Sequence, residues 1–241
     1  MSYSKIAETI RAGGTVILDG AIGTELERRG VKMDDNAWCG AATATNLQEL
    51  CGIHRDYIDA GADIITVNTY ASNRTMLDAA GLAGQVEQIN RAAVETAIKA
   101  RDESGSPDVV VAGSISHAVP AQMKLAAINP DDLSRYAAAF NELAGILKDA
   151  GCEMILLEMM YDPTRIRLAI EAALSTGLPV WAGLSSRRGE DGSILSYLQT
   201  EDVPFDDIAR MVAEYDFDTV GVMHSPSDVV AESLDIIRRH Y

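Results

Sequence analysis

The sequence predicts an α/β fold of repeated strand-helix units on a parallel sheet, and three observations predict it. Short β-rich runs recur at 15–19, 63–68, 108–113, 153–158, 179–184 and 219–223. Stretches with helical periodicity lie between and after them, at 46–60, 86–103, 131–150, 163–175 and 227–239. The runs DIITV, DVVVAG and EMILLE are continuous apolar blocks, as strands covered on both faces require; a half-solvated antiparallel sheet would alternate.

Local signals support the boundaries. Asn129 or Asp131 flanks Pro130, and Asp162 precedes Pro163, so each helix has a capping side chain beside a proline whose missing N–H costs nothing in the first turn. Gly61 and Gly151 fall between a helix and the next strand, as C-terminal caps do. No linker interrupts the pattern, so residues 1–241 are expected to form a single domain.

Composition excludes several function classes. Twenty Lys and Arg oppose 36 Asp and Glu, a formal net charge of −16 that repels nucleic acid. No apolar run approaches the roughly 18 residues of a membrane helix. The N-terminal MSYSKIAETIRAGG lacks the apolar core of a signal peptide, so a cytoplasmic protein with no membrane partner is expected. Cys39, Cys51 and Cys152 are odd in number and far apart, which favours reduced thiols over a disulfide framework.

Polar residues gather at the carboxyl ends of the predicted strands. Asp19 and Gly20 end the first, Asn68, Thr69 and Tyr70 the second, and Ser114 and His117 follow the third. Glu158 ends the fourth, Ser185 and Ser186 the fifth, and His224 the sixth. In a (β/α) barrel this face carries the active site, so the convergence of six strand ends is the main functional signal. Within TVILDGAIGTE, Gly20 and Gly23 let backbone amides approach a ligand closely.

With these residues in view, the chain resembles the homocysteine S-methyltransferase family. The resemblance is carried by ILDGAIGTELERRG, GADIITVNTYASN, VAGSISH, ILLEMM with YDPT, PVWAGLSSRRGEDGSILS and GVMHSP, in the family's order and over nearly the whole chain. It implies a (β/α)8 TIM barrel and methyl transfer to the thiol of homocysteine or a related sulfur amino acid from a small methyl donor. Carried over by residue, it implies that Asp19 and Glu158 hold the amino group, that Gly20 and Ser114 lie near the carboxylate, and that Asn68 and Tyr70 line the pocket. Paired carboxylates suit an ammonium, and glycine amides suit a carboxylate.

Two features depart from the family. The resemblance implies zinc on three cysteines, one in a GxNC-like motif and two in GGCC; here His224 stands at the first position and GGCC is absent. Only six βα units are visible where a closed barrel needs eight, so the barrel is expected to be incomplete, or completed by another chain in a homo-oligomer or with a different partner. His224 and His117, with Glu158, form an alternative metal set. Glu158 and His224 are also the candidate catalytic residues. Two other readings stay open: a non-catalytic paralogue that binds a sulfur amino acid, and a different barrel enzyme using Glu158 with His117 or His224.

Overall fold

The computed structural model describes residues 2–120 and 130–241. Its strands among these residues are β1 (Ile64–Thr66), β2 (Val110–Ser116), β3 (Met154–Met160), β4 (Val180–Leu184), β5 (Ser186–Arg188), β6 (Ile194–Ser196) and β7 (Thr219–Val222). The helices are α1 (Ser2–Arg11), α2 (Ile22–Arg28), α3 (Leu47–Asp59), α4 (Arg74–Ala79), α5 (Val86–Glu103), α6 (Pro130–Ala150), α7 (Pro163–Ser175), α8 (Phe205–Val212) and α9 (Val230–Ile237). One parallel sheet runs in the order β1-β2-β3-β4-β7, while β5 and β6 form a separate antiparallel hairpin.

Five of the six expected strand runs become ladder strands. The run at 15–19 does not: it lies beside β1 through a single bridge from Leu18 to Ile64. The Ile17 carbonyl accepts from Asp63 N at 2.8 Å and Ile64 N at 3.2 Å, and Asp19 N donates to Ile64 O at 3.0 Å. The Asp63 carboxylate takes Ile17 N at 2.8 Å. Only about three residues are thus in register before the Gly20 turn, too few for a ladder. The segment still occupies the first position of the arc.

Helix α7 starts as predicted, with the Asp162 carboxylate accepting from Thr164 N at 3.0 Å and Arg165 N at 3.1 Å. Helix α6 begins at Pro130; the alternative cap Asn129 lies outside the described residues.

Strand alternation divides the core into two layers. Ile65, Val111, Ile155 and Leu157 point outward and pack with Phe140, Leu143 and Leu147 of α6 and Ile166 and Ile170 of α7. Ile64, Val110, Ala112, Met154, Leu156 and Trp181 point inward and pack with Ile6 of α1. Tyr3 seals this inner layer, its hydroxyl accepting from Trp181 Nε1–H at 3.0 Å. Each fully buried aliphatic side chain contributes about 1.5–3 kcal/mol, so both faces matter. The sheet does not close: among the described residues the ladder ends at β7, whose Thr219–Val222 run is only half-buried.

Gly40 sits where the 39–45 loop meets the residues after β1. A Cβ there would lie 2.3 Å from the Ala71 carbonyl oxygen, whereas one at Gly84 would meet nothing within 4 Å. G40A is expected to lose about 1–3 kcal/mol of stability by overpacking against backbone, and G84A none, as read from denaturant melts of the two variants.

Candidate functional site at the carboxyl ends of the strands

The 17–19 segment delivers Asp19, and β1 fixes it. The Asp19 carboxylate accepts Thr66 N at 2.6 Å on Oδ2 and the Thr66 hydroxyl at 2.7 Å on Oδ1. Burial pushes its pKa up to about 7; the two Thr66 bonds oppose this, and the Glu158 charge adds to it. Gly20 follows because a Cβ at this position would lie 2.6 Å from the Tyr57 hydroxyl oxygen.

Residues after β1 supply the next wall. The Asn68 amide donates to Cys39 O at 2.9 Å and Thr43 Oγ1 at 3.0 Å, which ties the 39–45 loop to the strand end. The Tyr70 carbonyl accepts from Ser116 Oγ at 2.6 Å, and its hydroxyl donates to Met159 Sδ at 3.0 Å. The Tyr70 ring meets Trp38 edge-on at 6.1 Å and stacks on His224 at 5.9 Å.

Glu158 is aimed by an irregularity. The β3–β4 register shifts between Leu157 and Met160, so Glu158 and Met159 lie in a bulge of the kind that redirects a side chain. His224 Nε2 then lies 3.4 Å from Glu158 Oε2. The outcome is a cavity of about 220 Å³ lined by Asp19, Gly20, Asn68, Tyr70, Glu158 and His224, with Trp38, Cys39, Leu156 and Met223 as its apolar walls.

Two predicted residues stand elsewhere. Ser114 lies earlier in β2 and does not line the cavity; its Oγ is fully buried and has no partner among the described residues. His117 is also buried, with Nε2 accepting from Tyr161 N at 3.0 Å and Asp162 N at 3.4 Å. Burial, followed by the Arg165 charge, pushes its pKa down to about 4. The expectation that His117 and His224 share a metal with Glu158 is therefore corrected: one ring nitrogen of His117 is committed to backbone amides, and no group of three His, Cys, Asp or Glu among the described residues could hold a metal ion.

A thiolate zinc centre does not fit the described side chains either. Cys39, Cys51 and Cys152 are free, buried and dispersed. A cysteine binds zinc as its thiolate, yet burial, reinforced by the Glu158 charge, pushes Cys39 up to about 12.

The sequence reading missed Thr66, Ser116 and Trp38. Thr66 and Ser116 occupy positions that look like ordinary strand filler, and only the fold turns them toward Asp19 and Tyr70. Among the described residues no arginine lines the cavity, and Arg74, Arg165, Arg187 and Arg188 pair with carboxylates outside it. Arg165 pairs with Asp162 at 2.6 Å, Arg74 with Glu142 at 2.5 Å and Arg187 with Asp202 at 2.6 Å.

The family model for homocysteine S-methyltransferase matches residues 16–240. The chain belongs to the homocysteine S-methyltransferase family. Homocysteine S-methyltransferase 3 of Arabidopsis thaliana is 28% identical over 200 residues, covering 80% of this chain and 55% of the relative. Selenocysteine Se-methyltransferase of Brassica oleracea var. italica is 30% identical over 161 residues, covering 66% of this chain and 45% of the relative. The chain spans about half the length of the curated relatives it matches. In fold it is similar to the homocysteine methyltransferase MmuM of Escherichia coli in its metallated form. The TM-score is 0.77 at 21% identity, covering 97% of this chain and 83% of that one. This family membership agrees with the resemblance read from the motifs. The architecture is that of the family's barrel, with the sheet left open. No helix among the described residues is long and apolar enough to cross a membrane.

The Asp19 environment gives a pH signature. Because the folded pKa of about 7 exceeds the ordinary 3.8, the folded state keeps a proton that the unfolded state releases. Stability from this group is present at low pH and lost as pH rises from about 4 to about 7. Denaturation across that range is expected to show wild type losing stability relative to D19N as pH rises; a pH-independent difference between them contradicts the assignment.

Proposed function

We propose that this chain, as a single domain over residues 1–241, binds homocysteine or a related thiol amino acid in the cavity and transfers a methyl group to its sulfur. The observation that carries the reading is that carboxylates from two separate strand positions, Asp19 and Glu158, line one small cavity. An ammonium is the natural guest of such a pair. Gly20, Ala21 and Gly23 line the cavity, where backbone amides would meet the carboxylate, and Trp38, Leu156 and Met223 give a sulfur-bearing side chain apolar contact. Family membership supplies the reaction class, methyl transfer.

The partners follow from the same reading: a small thiol amino acid and a methyl donor. A further chain, most simply a second copy, is proposed to cover the free edge of β7, because an unpaired strand edge favours pairing. The zinc of the family is not assigned to any residue of this chain, and no step is routed through it. A cytoplasmic setting suits the three reduced thiols.

Calorimetric titration with homocysteine and methionine, followed by a methyl-transfer assay with S-methylmethionine as sulfonium donor, tests the proposal. Homocysteine binding is expected, with E158Q weakening it at least about tenfold through loss of a charge-assisted contact. Binding without transfer assigns the chain to amino-acid binding alone. No binding rejects the reading.

A further inference from the structure

Among the described residues, the non-glycine positions with positive φ are Trp38 at 41°, Met159 at 56° and His224 at 49°. Such backbone is unfavourable for any residue with a Cβ and persists only where its surroundings impose it. All three surround Tyr70, through the Trp38 edge contact, the Met159 sulfur and the stacked His224 ring.

The His224 turn is imposed from both sides. Met223 N donates to Leu184 O at 2.9 Å, and Met223 O accepts from Ser185 Oγ at 2.7 Å and Ser225 Oγ at 3.1 Å. Ser225 Oγ accepts from Ser186 N at 2.9 Å, and the Ser186 hydroxyl meets that of Ser233 at 2.7 Å, anchoring the turn to α9. A glycine would occupy this turn without the strain. Instead the chain holds an imidazole there, its side chain 42% exposed, over the cavity mouth and beside Glu158.

We infer that His224, oriented by Glu158, takes the thiol proton of the bound amino acid, a task that in this chain needs no metal. The inference rests on the cavity binding a thiol amino acid. With Nε2–H donating to Glu158, the Nδ1 lone pair accepts the proton as the S–H bond breaks and the electron pair stays on sulfur. The thiolate then forms the S–CH3 bond while the methyl-to-sulfur bond of a sulfonium donor breaks, its electron pair leaving with a neutral thioether. The imidazolium returns its proton to water when product departs. The strained turn and its serines position the ring for this transfer.

The test uses chelator-treated protein at neutral pH and saturating homocysteine, and reads bound thiolate by its far-ultraviolet absorbance. Wild type is expected to show the thiolate band and H224Q to lose it, with methyl transfer by H224Q falling about a hundredfold or more. H224G is expected to lose the band while melting about 2–4 °C higher, because the left-handed strain is relieved. The band persisting in H224Q, or forming in wild type only after zinc is added, overturns the inference while leaving the binding reading intact. Failure of wild type to bind homocysteine overturns both.

Discussion

An open parallel sheet has two apolar faces to bury and no closed barrel to bury one of them against itself. Everything else in this molecule depends on how that constraint is met. The outer face is covered in the usual way by α5, α6 and α7. The inner face is covered from below by α1, where Ile6 enters the layer formed by Ile64, Val110, Ala112, Met154, Leu156 and Trp181. With the bottom filled, the upper end of the same interior is left as a small cavity, and Leu156 belongs to both. Floor and site are two ends of one packed column.

The site is built from residues whose own conformations are fixed by their neighbours. Thr66 holds both oxygens of Asp19, Ser116 holds the backbone of Tyr70, and the bulge in β3 directs Glu158. Preorganisation of this kind places the cost of ordering in the fold rather than at the moment of binding. It also explains why a carboxylate can be kept in an environment that disfavours its charge: the Thr66 donors offset part of the burial cost, and an incoming ammonium would offset more.

Much of this was legible in the sequence, for physical reasons that differ by element. Helices α5 and α7 occupy the predicted 86–103 and 163–175 because long amphipathic periodicity, with a capping Asp162 for α7, leaves little freedom in their bounds. The β5–β6 hairpin was not legible, since three residues are too few to show a period and β5 carries Arg187 and Arg188. Of the polar strand ends, Asp19, Asn68, Tyr70, Glu158 and His224 are those the fold brings to one cavity. The pattern could not separate Glu158 from Ser114 or His117, because all three end apolar runs and only the β3 bulge and the packing around β2 decide which side chain reaches the cavity. Trp38 was similarly hidden: its approach to Tyr70 depends on Asn68 drawing in the 39–45 loop.

The contact between Tyr3 and Trp181 joins residues 178 positions apart. Contacts of such separation are slow to form, because the loop-closure entropy is spent before the contact repays it. Helix α1 can dock Ile6 on β1, β2 and β3 earlier, but Tyr3 has no indole partner until β4 has been made. Until then the inner layer lacks its Trp181 wall and keeps apolar surface exposed, which leaves the growing chain open to misassociation.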